Sequence, residues 1–287
     1  MDIQSDSFDI KPGTALAAVY GAGEKRVYFQ EQSGWIREAT YDSTHGWRNG
    51  IEVVQLKDSS PIAVAYEGLN KFVYNGKEWK EGSLGQFHFE VSPSTNLAAR
   101  YIDGEPRVYA QVVDTSIHEY KHANDEWNLA YNFGTGFNNT SIAAPATGKQ
   151  QLFYQSTESI FIEKIDIGDG WQDGLYKYSN DESDTPIVAV TFGVDTHCVY
   201  HLNSEHYIVE SVWNTGARDH KWTSQILSKK ANPGSKLAGF AFTDGGNNAN
   251  TNIQLYLQDE EGGENISEYA YKTGSGWTTN SAILPAK

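Results

Sequence analysis

Apolar and polar positions along this chain alternate over short stretches, and no apolar stripe recurs at 3.6-residue spacing for long enough to make a helix. Segments such as LAAVY, RVYFQ and QLYLQ, bounded by Gly, Asn, Asp or Ser, predict strands. The strands also repeat. A small-residue strand starts at Leu16, Ile62, Leu97, Ile142, Ile187 and Leu237, at intervals of 46, 35, 45, 45 and 50 residues. A second segment centres on tyrosine: Arg26-Val-Tyr28, Arg107-Val-Tyr109, Gln151-Leu-Phe-Tyr154, Cys198-Val-Tyr200 and Gln254-Leu-Tyr256. A third ends on Glu38, Glu119, Glu163, Glu210 or Glu268, and a fourth carries Trp47, Trp79, Trp127, Trp171, Trp222 or Trp277.

Six copies of a four-strand unit predict an all-β chain, a six-bladed β-propeller of four-stranded blades forming one domain over 1–287. Each blade buries its faces against its neighbours, so no linker is expected. Small residues suit the innermost strands, which crowd the centre. Blade two is shortened: its interval is 35 residues, EGLN runs directly into KFVYNGKEW, and the Arg-Val-Tyr segment is missing.

Composition narrows the function classes. Twenty-two Lys and Arg against 37 Asp and Glu give a net charge of −15, a poor match for nucleic acid or an anionic membrane. No apolar run approaches 18 residues, and MDIQSDSFDI has neither a basic nor an apolar leader region. Membrane insertion is therefore not expected, and the expected location is the cytoplasm, or the outside by release without a conventional signal. The single cysteine, Cys198, excludes an internal disulfide framework and is expected to be a buried, inert thiol. His118 and His122 stand four apart, but in strand context that spacing does not make a metal pair; no metal or cofactor is implied. Asn138, Asn139 and Asn265 begin N-x-S/T sequons that read as unmodified loop residues, and the acidic run 259–264 reads as a solvated hairpin tip.

The repeated polar residues have an informative spacing. Arg26 and Glu38 are 12 apart, as are Arg107 and Glu119, Gln151 and Glu163, and Cys198 and Glu210. With hairpin midpoints at residues 32 and 113, each Arg would face its Glu directly across the ladder. A guanidinium fork beside a carboxylate suits vicinal hydroxyls of a sugar, and a neighbouring aromatic wall suits its apolar face. The competing reading is a structural cross-strand ion pair.

The repeats RVYFQ…IREA, RVYAQ…IHEY and FVYNGKEW resemble the fungal fucose-specific lectins of the Aleuria aurantia lectin type, over nearly the whole chain. The resemblance implies fucose sites between adjacent blades, each with Arg and Glu from one blade and two aromatics from the next, without metal. The first site would be Arg26 and Glu38 with Tyr74 and Trp79. The third would be Arg107 and Glu119 with Trp171, where Asp166 takes the second aromatic position and thins the wall. Weaker candidates are Gln151 and Glu163 facing Trp213 and Trp222, and Gln254 and Glu268 facing Tyr41 and Trp47. Lys71 in blade two and Cys198 in blade five leave their sites dead, Glu210 lacking its partner.

The partners implied are fucosylated glycans and glycoconjugates, bound multivalently, with a homodimer adding further avidity. Two other classes compete. Asp166-Ile-Gly-Asp-Gly-Trp171 matches part of the Asp-box of propeller sialidases, but only once, and one Glu per blade spaces carboxylates too widely for glycoside hydrolysis. A protein-interaction scaffold would explain the blades but not the Arg–Glu–aromatic set.

Overall fold

The computed structural model describes residues 9–21, 23–56, 60, 62–64, 72–74, 79–81, 83–87, 91–92, 97–146, 148–179, 184–192, 196–213, 221–244, 250–261 and 263–284. Among these the chain is all strand apart from turns and one 3₁₀ turn at Ser83–Gln86. Five antiparallel sheets have four strands each, in strict sequence order. The first holds β1 (Leu16–Gly21), β2 (Glu24–Gln30), β3 (Trp35–Asp42) and β4 (Gly46–Gln55). Among the described residues, β5 (Phe72–Tyr74) and β6 (Trp79–Glu81) represent the shortened second blade. The third holds β7 (Ala98–Ile102), β8 (Glu105–Gln111), β9 (Ser116–Ala123) and β10 (Glu126–Thr135). The fourth holds β11 (Ile142–Ala143), β12 (Gln150–Gln155), β13 (Ile160–Asp166) and β14 (Trp171–Ser179). The fifth holds β15 (Ile187–Phe192), β16 (Thr196–Leu202), β17 (Tyr207–Trp213) and β18 (Trp222–Lys230). The sixth holds β19 (Leu237–Asp244), β20 (Asn250–Gln258), β21 (Ile266–Lys272) and β22 (Gly276–Leu284).

The chain gathers into two compact units, one of residues 1–62, 205–208 and 227–287 and one of residues 63–204 and 209–226. In the first unit, β1 packs beside β19, and Leu16, Val27 and Phe29 share one core with Phe240, Tyr256 and Ile266. In the second, Tyr109 and Ile117 pack with Leu152 and Tyr154, while Phe153, Phe161 and Tyr176 pack with Ile187 and Val199. The cores thus lie between successive sheets, as expected when each blade buries both faces.

A buried glutamine ends the second strand of several blades and stitches the hairpin turn to a neighbouring segment. Gln111 Nε2 donates to the Thr115 and Phe137 carbonyls at 3.1 and 2.7 Å, and its Oε1 accepts from Asn139 N at 2.8 Å. Gln258 Nε2 donates to the Glu264 and Lys11 carbonyls at 2.7 and 3.3 Å, and its Oε1 accepts from Gly13 N at 2.7 Å. The last blade is thereby tied to the first residues of the fold.

One expectation changes here, and the burial expected of Cys198 is met. Asp259 is not part of a solvated tip: it is fully buried and ion-paired with Lys229 at 2.5 Å, leaving Glu260 and Glu261 outside. Cys198 is buried, and burial pushes its thiol up to about 12.

His201 is enclosed by Phe161 and Tyr178, with ring centroids 5.0 and 4.3 Å away, and its Nε2 has no partner among the described residues. Burial holds its pKa down at about 4, against a small opposing effect of the Leu202 carbonyl. The unfolded chain takes up this proton near pH 6.5, so stability falls as pH drops from there towards 4, by about 3 kcal/mol in total. Urea midpoints of the wild type and His201→Phe at pH 7 and 4.5 check this: the variant loses less on acidification, and equal losses would disprove the assignment.

Candidate functional site

The ladder register corrects the predicted pairing. Arg26 stands opposite Thr40 and Arg107 opposite Lys121, while Tyr28 faces Glu38 and Tyr109 faces Glu119. The hairpin midpoints are therefore 33 and 114, and each Arg reaches its Glu on the diagonal, which a long side chain spans on one face of a sheet. The direct partner is the repeated tyrosine. Its hydroxyl donates to the glutamate in four blades: Tyr28 to Glu38 at 2.6 Å, Tyr109 to Glu119 at 3.1 Å, Tyr200 to Glu210 at 3.0 Å and Tyr256 to Glu268 at 3.0 Å. Burial, then the adjacent carboxylate, keeps the Tyr28 and Tyr109 phenols protonated well above the ordinary tyrosine range.

The third-to-fourth strand ladder shifts register beside Glu38, Glu119, Glu163 and Glu268 alike. Such a bulge turns a side chain out of the regular pleat. Beside Glu38 the close approach requires a glycine, since a Cβ on Gly50 would lie 2.5 Å from the Glu38 carbonyl oxygen.

The blade-three constellation is the most complete. Arg107 Nη1 donates to Glu119 Oε1 at 2.6 Å, and Trp171 Nε1, from blade four, donates to Glu119 Oε2 at 3.2 Å. Burial alone would lower the Arg107 pKa, but the hydrogen bond and charge of Glu119 outweigh it and the net shift is upward. Asp166 stands opposite Trp171, so no aromatic occupies that position, and its carboxylate caps the turn at Gly168 and Gly170. The aromatic surface is completed from blade three itself. Tyr131, opposite Glu119 across the bulge and 38% exposed, lies with its ring 6.3 Å from that of Trp171. Phe133 lies 4.9 Å from Trp171. Sequence spacing missed Tyr131 because the register shift moves it two places beyond Leu129 while its partner moves only one.

In the first blade Arg26 Nη1 lies 3.5 Å from Glu38, and its Nη2 donates to Glu24 at 2.9 Å. The predicted aromatics Tyr74 and Trp79 form one rung of β5 and β6, with side chains outside the described residues. Lys71 lies outside them as well.

In blade four Gln151 Nε2 donates to Glu163 Oε1 at 2.6 Å, and the bulge presents Leu175 N and Tyr176 N to Glu163 Oε2, each at 3.1 Å. Trp222 packs on Tyr176 and Phe153, and Trp213 lies 5.8 Å from Trp222. Both oxygens of this glutamate are thus satisfied internally. Glu210 is not left alone by Cys198: Gln225 Nε2 donates to its Oε2 at 2.5 Å.

Blade six brings an unforeseen residue to its predicted set. Tyr41, Trp47 and Tyr256 meet, with Trp47 edge-on to Tyr256 at 5.9 Å, and Tyr256 OH lies 2.9 Å from Gln254 Oε1. Lys25, from blade one, reaches Glu268 Oε2 at 3.0 Å. Among the described residues no group of three or more His, Cys, Asp or Glu side chains is placed to hold a metal ion.

The chain is similar to known proteins over nearly its whole length. A fucose-specific lectin of Aspergillus fumigatus is 28% identical, the alignment covering 95% of this chain and 96% of that one. The fucose-specific lectin of Aleuria aurantia is 25% identical, with 93% of each covered. The crystal structure of the Aleuria aurantia lectin, described as a six-bladed β-propeller, matches with a TM-score of 0.79 and 24% identity over 97% of both chains. That likeness shows the fold: a β-propeller of four-stranded blades, five complete here and one represented by β5 and β6. A family model, "Fungal fucose-specific lectin", matches residues 10–287, and the chain belongs to that family.

Proposed function

We propose that the chain binds L-fucose-containing glycans at pockets between adjacent blades, with Arg and Glu hydrogen-bonding hydroxyls and Tyr and Trp covering the apolar face of the sugar. The blade-three cluster carries this reading. A nearly buried carboxylate there is held by a same-blade guanidinium and a next-blade indole, beside an exposed tyrosine ring. That set offers charge-assisted donors, an acceptor and a stacking surface without metal. Arg26 and Glu38 repeat the Arg–Glu pair in blade one, 3.5 Å apart, and are the second candidate. The pair Gln151 and Glu163 lacks the guanidinium, so its pocket binds weakly. As a lectin of this family the chain is a carbohydrate-binding protein and not an enzyme.

Titrating L-fucose, with galactose as the control, and following heat and tryptophan fluorescence together tests the proposal. The expected result is saturable fucose binding at two sites per chain and none for galactose. Absence of fucose binding would refute it. Affinity per site is modest, because each hydroxyl contact replaces one to water, and several sites together produce strong attachment to a glycan-bearing surface.

A further inference from the structure

The interface between the last blade and the first contains a carboxylate, Glu268, and an aromatic pair, Tyr41 and Trp47. The position that carries Arg in blades one and three carries Gln254 here, yet Glu268 has a cation. Lys25 crosses from β2 of the first blade and places its ammonium 3.0 Å from Glu268 Oε2 and 4.6 Å over the centre of the Tyr41 ring. Asn280 Nδ2 donates to Glu268 Oε1 at 2.9 Å, and Tyr256 OH donates to Oε2. The ammonium therefore lies between the carboxylate and one face of Tyr41.

These are the two surfaces a sugar would need: an acceptor for its hydroxyls and an aromatic face for its ring. Lys25 engages both at once. It stands directly opposite Tyr41 in the β2–β3 ladder with its ammonium over that ring, and the ion pair with a nearly buried Glu268 anchors the tip. In blade three the cation instead arises from the same blade as its glutamate and leaves Tyr131 exposed.

We infer that Lys25 is an internal occupant of this pocket, filling the place of a sugar and closing the interface to fucose. Lys25 thus sets the valence of the lectin. This rests on the function proposed above and goes further, assigning one residue control over whether one interface binds.

The test compares the wild type with Lys25→Ala in titrations with α-methyl-L-fucoside, a melting curve confirming that each is folded. The variant is expected to bind one more fucoside per chain than the wild type, and adding Trp47→Phe removes the fluorescence response of the gained site. If Lys25→Ala does not fold, Lys25→Ser removes the ammonium with a smaller change in polarity. An unchanged number of sites makes Lys25 a strut only and overturns the inference. A lower number makes Lys25 a ligand-binding group and overturns it equally. The wild-type titration separates the two levels: no binding there refutes the proposed function, whereas binding there without a gain in the variant refutes only the role of Lys25.

Discussion

An Arg107→Ala variant loses fucoside affinity at its interface by about 30- to 1,000-fold, and the measured number of sites per chain falls by one. The change removes the charge-assisted donor of the pocket and leaves Glu119 buried, with Tyr109 and Trp171 as its donors among the described residues. Losing one partner of a buried charge pair costs about 2–4 kcal/mol, which converts to that range of affinity. Arg107→Lys recovers only part of the loss, because a point charge cannot present the guanidinium fork. Calorimetric titration with α-methyl-L-fucoside decides the matter. A site count identical to wild type in Arg107→Ala would show that the Arg107–Glu119 pair is structural.

The second large effect is on stability. Gln258→Leu deletes three hydrogen bonds at once and strands the Lys11 and Glu264 carbonyls and the Gly13 N–H next to a side chain that cannot bond them. Water can reach the groups left behind, so each lost bond counts at its net worth of about 0.5–1.5 kcal/mol, and the variant is expected to lose roughly 3 kcal/mol of unfolding free energy. Urea unfolding measures this, and a midpoint within experimental error of wild type would show that the stitch contributes nothing. Fucoside affinity at the Arg107 pocket stays unchanged in the same variant, since Gln258 belongs to the other compact unit.

Much of this architecture is legible in the chain because a propeller repeats its chemistry. Six tryptophans and five glutamates in one register were enough to place the blades, and the resemblance to the fungal fucose-specific lectins added Trp171 to the pair Arg107 and Glu119. What spacing alone could not supply was the phase of the ladder. Counting from an assumed hairpin midpoint put Arg opposite Glu, whereas the turn closes one residue later and gives that place to Tyr28 and Tyr109. The bulges beside the glutamates were equally hidden, since a local change in pairing leaves no mark on residue spacing. They explain both the missed Tyr131 and the backbone bonds to Glu163. Lys25 went unremarked for another reason: its partner is 243 residues away, so only the meeting of first and last blades reveals it. The glutamine ending RVYFQ and RVYAQ was visible in the repeats, but its carbonyl partners lie in turns whose shape no strand pattern conveys.

The pairing of β1 with a core shared by β19 also sets a timetable. As the ribosome releases the chain from its N-terminus, Gly21 emerges 216 residues before Leu237. At about 5–20 residues per second, the apolar side of the first blade waits roughly 10 to 40 seconds for its permanent neighbour. During that interval Leu16, Val27 and Phe29 lack the side chains that later cover them, although their own sheet can already form. Most of the chain must be made before the earliest blade is sealed.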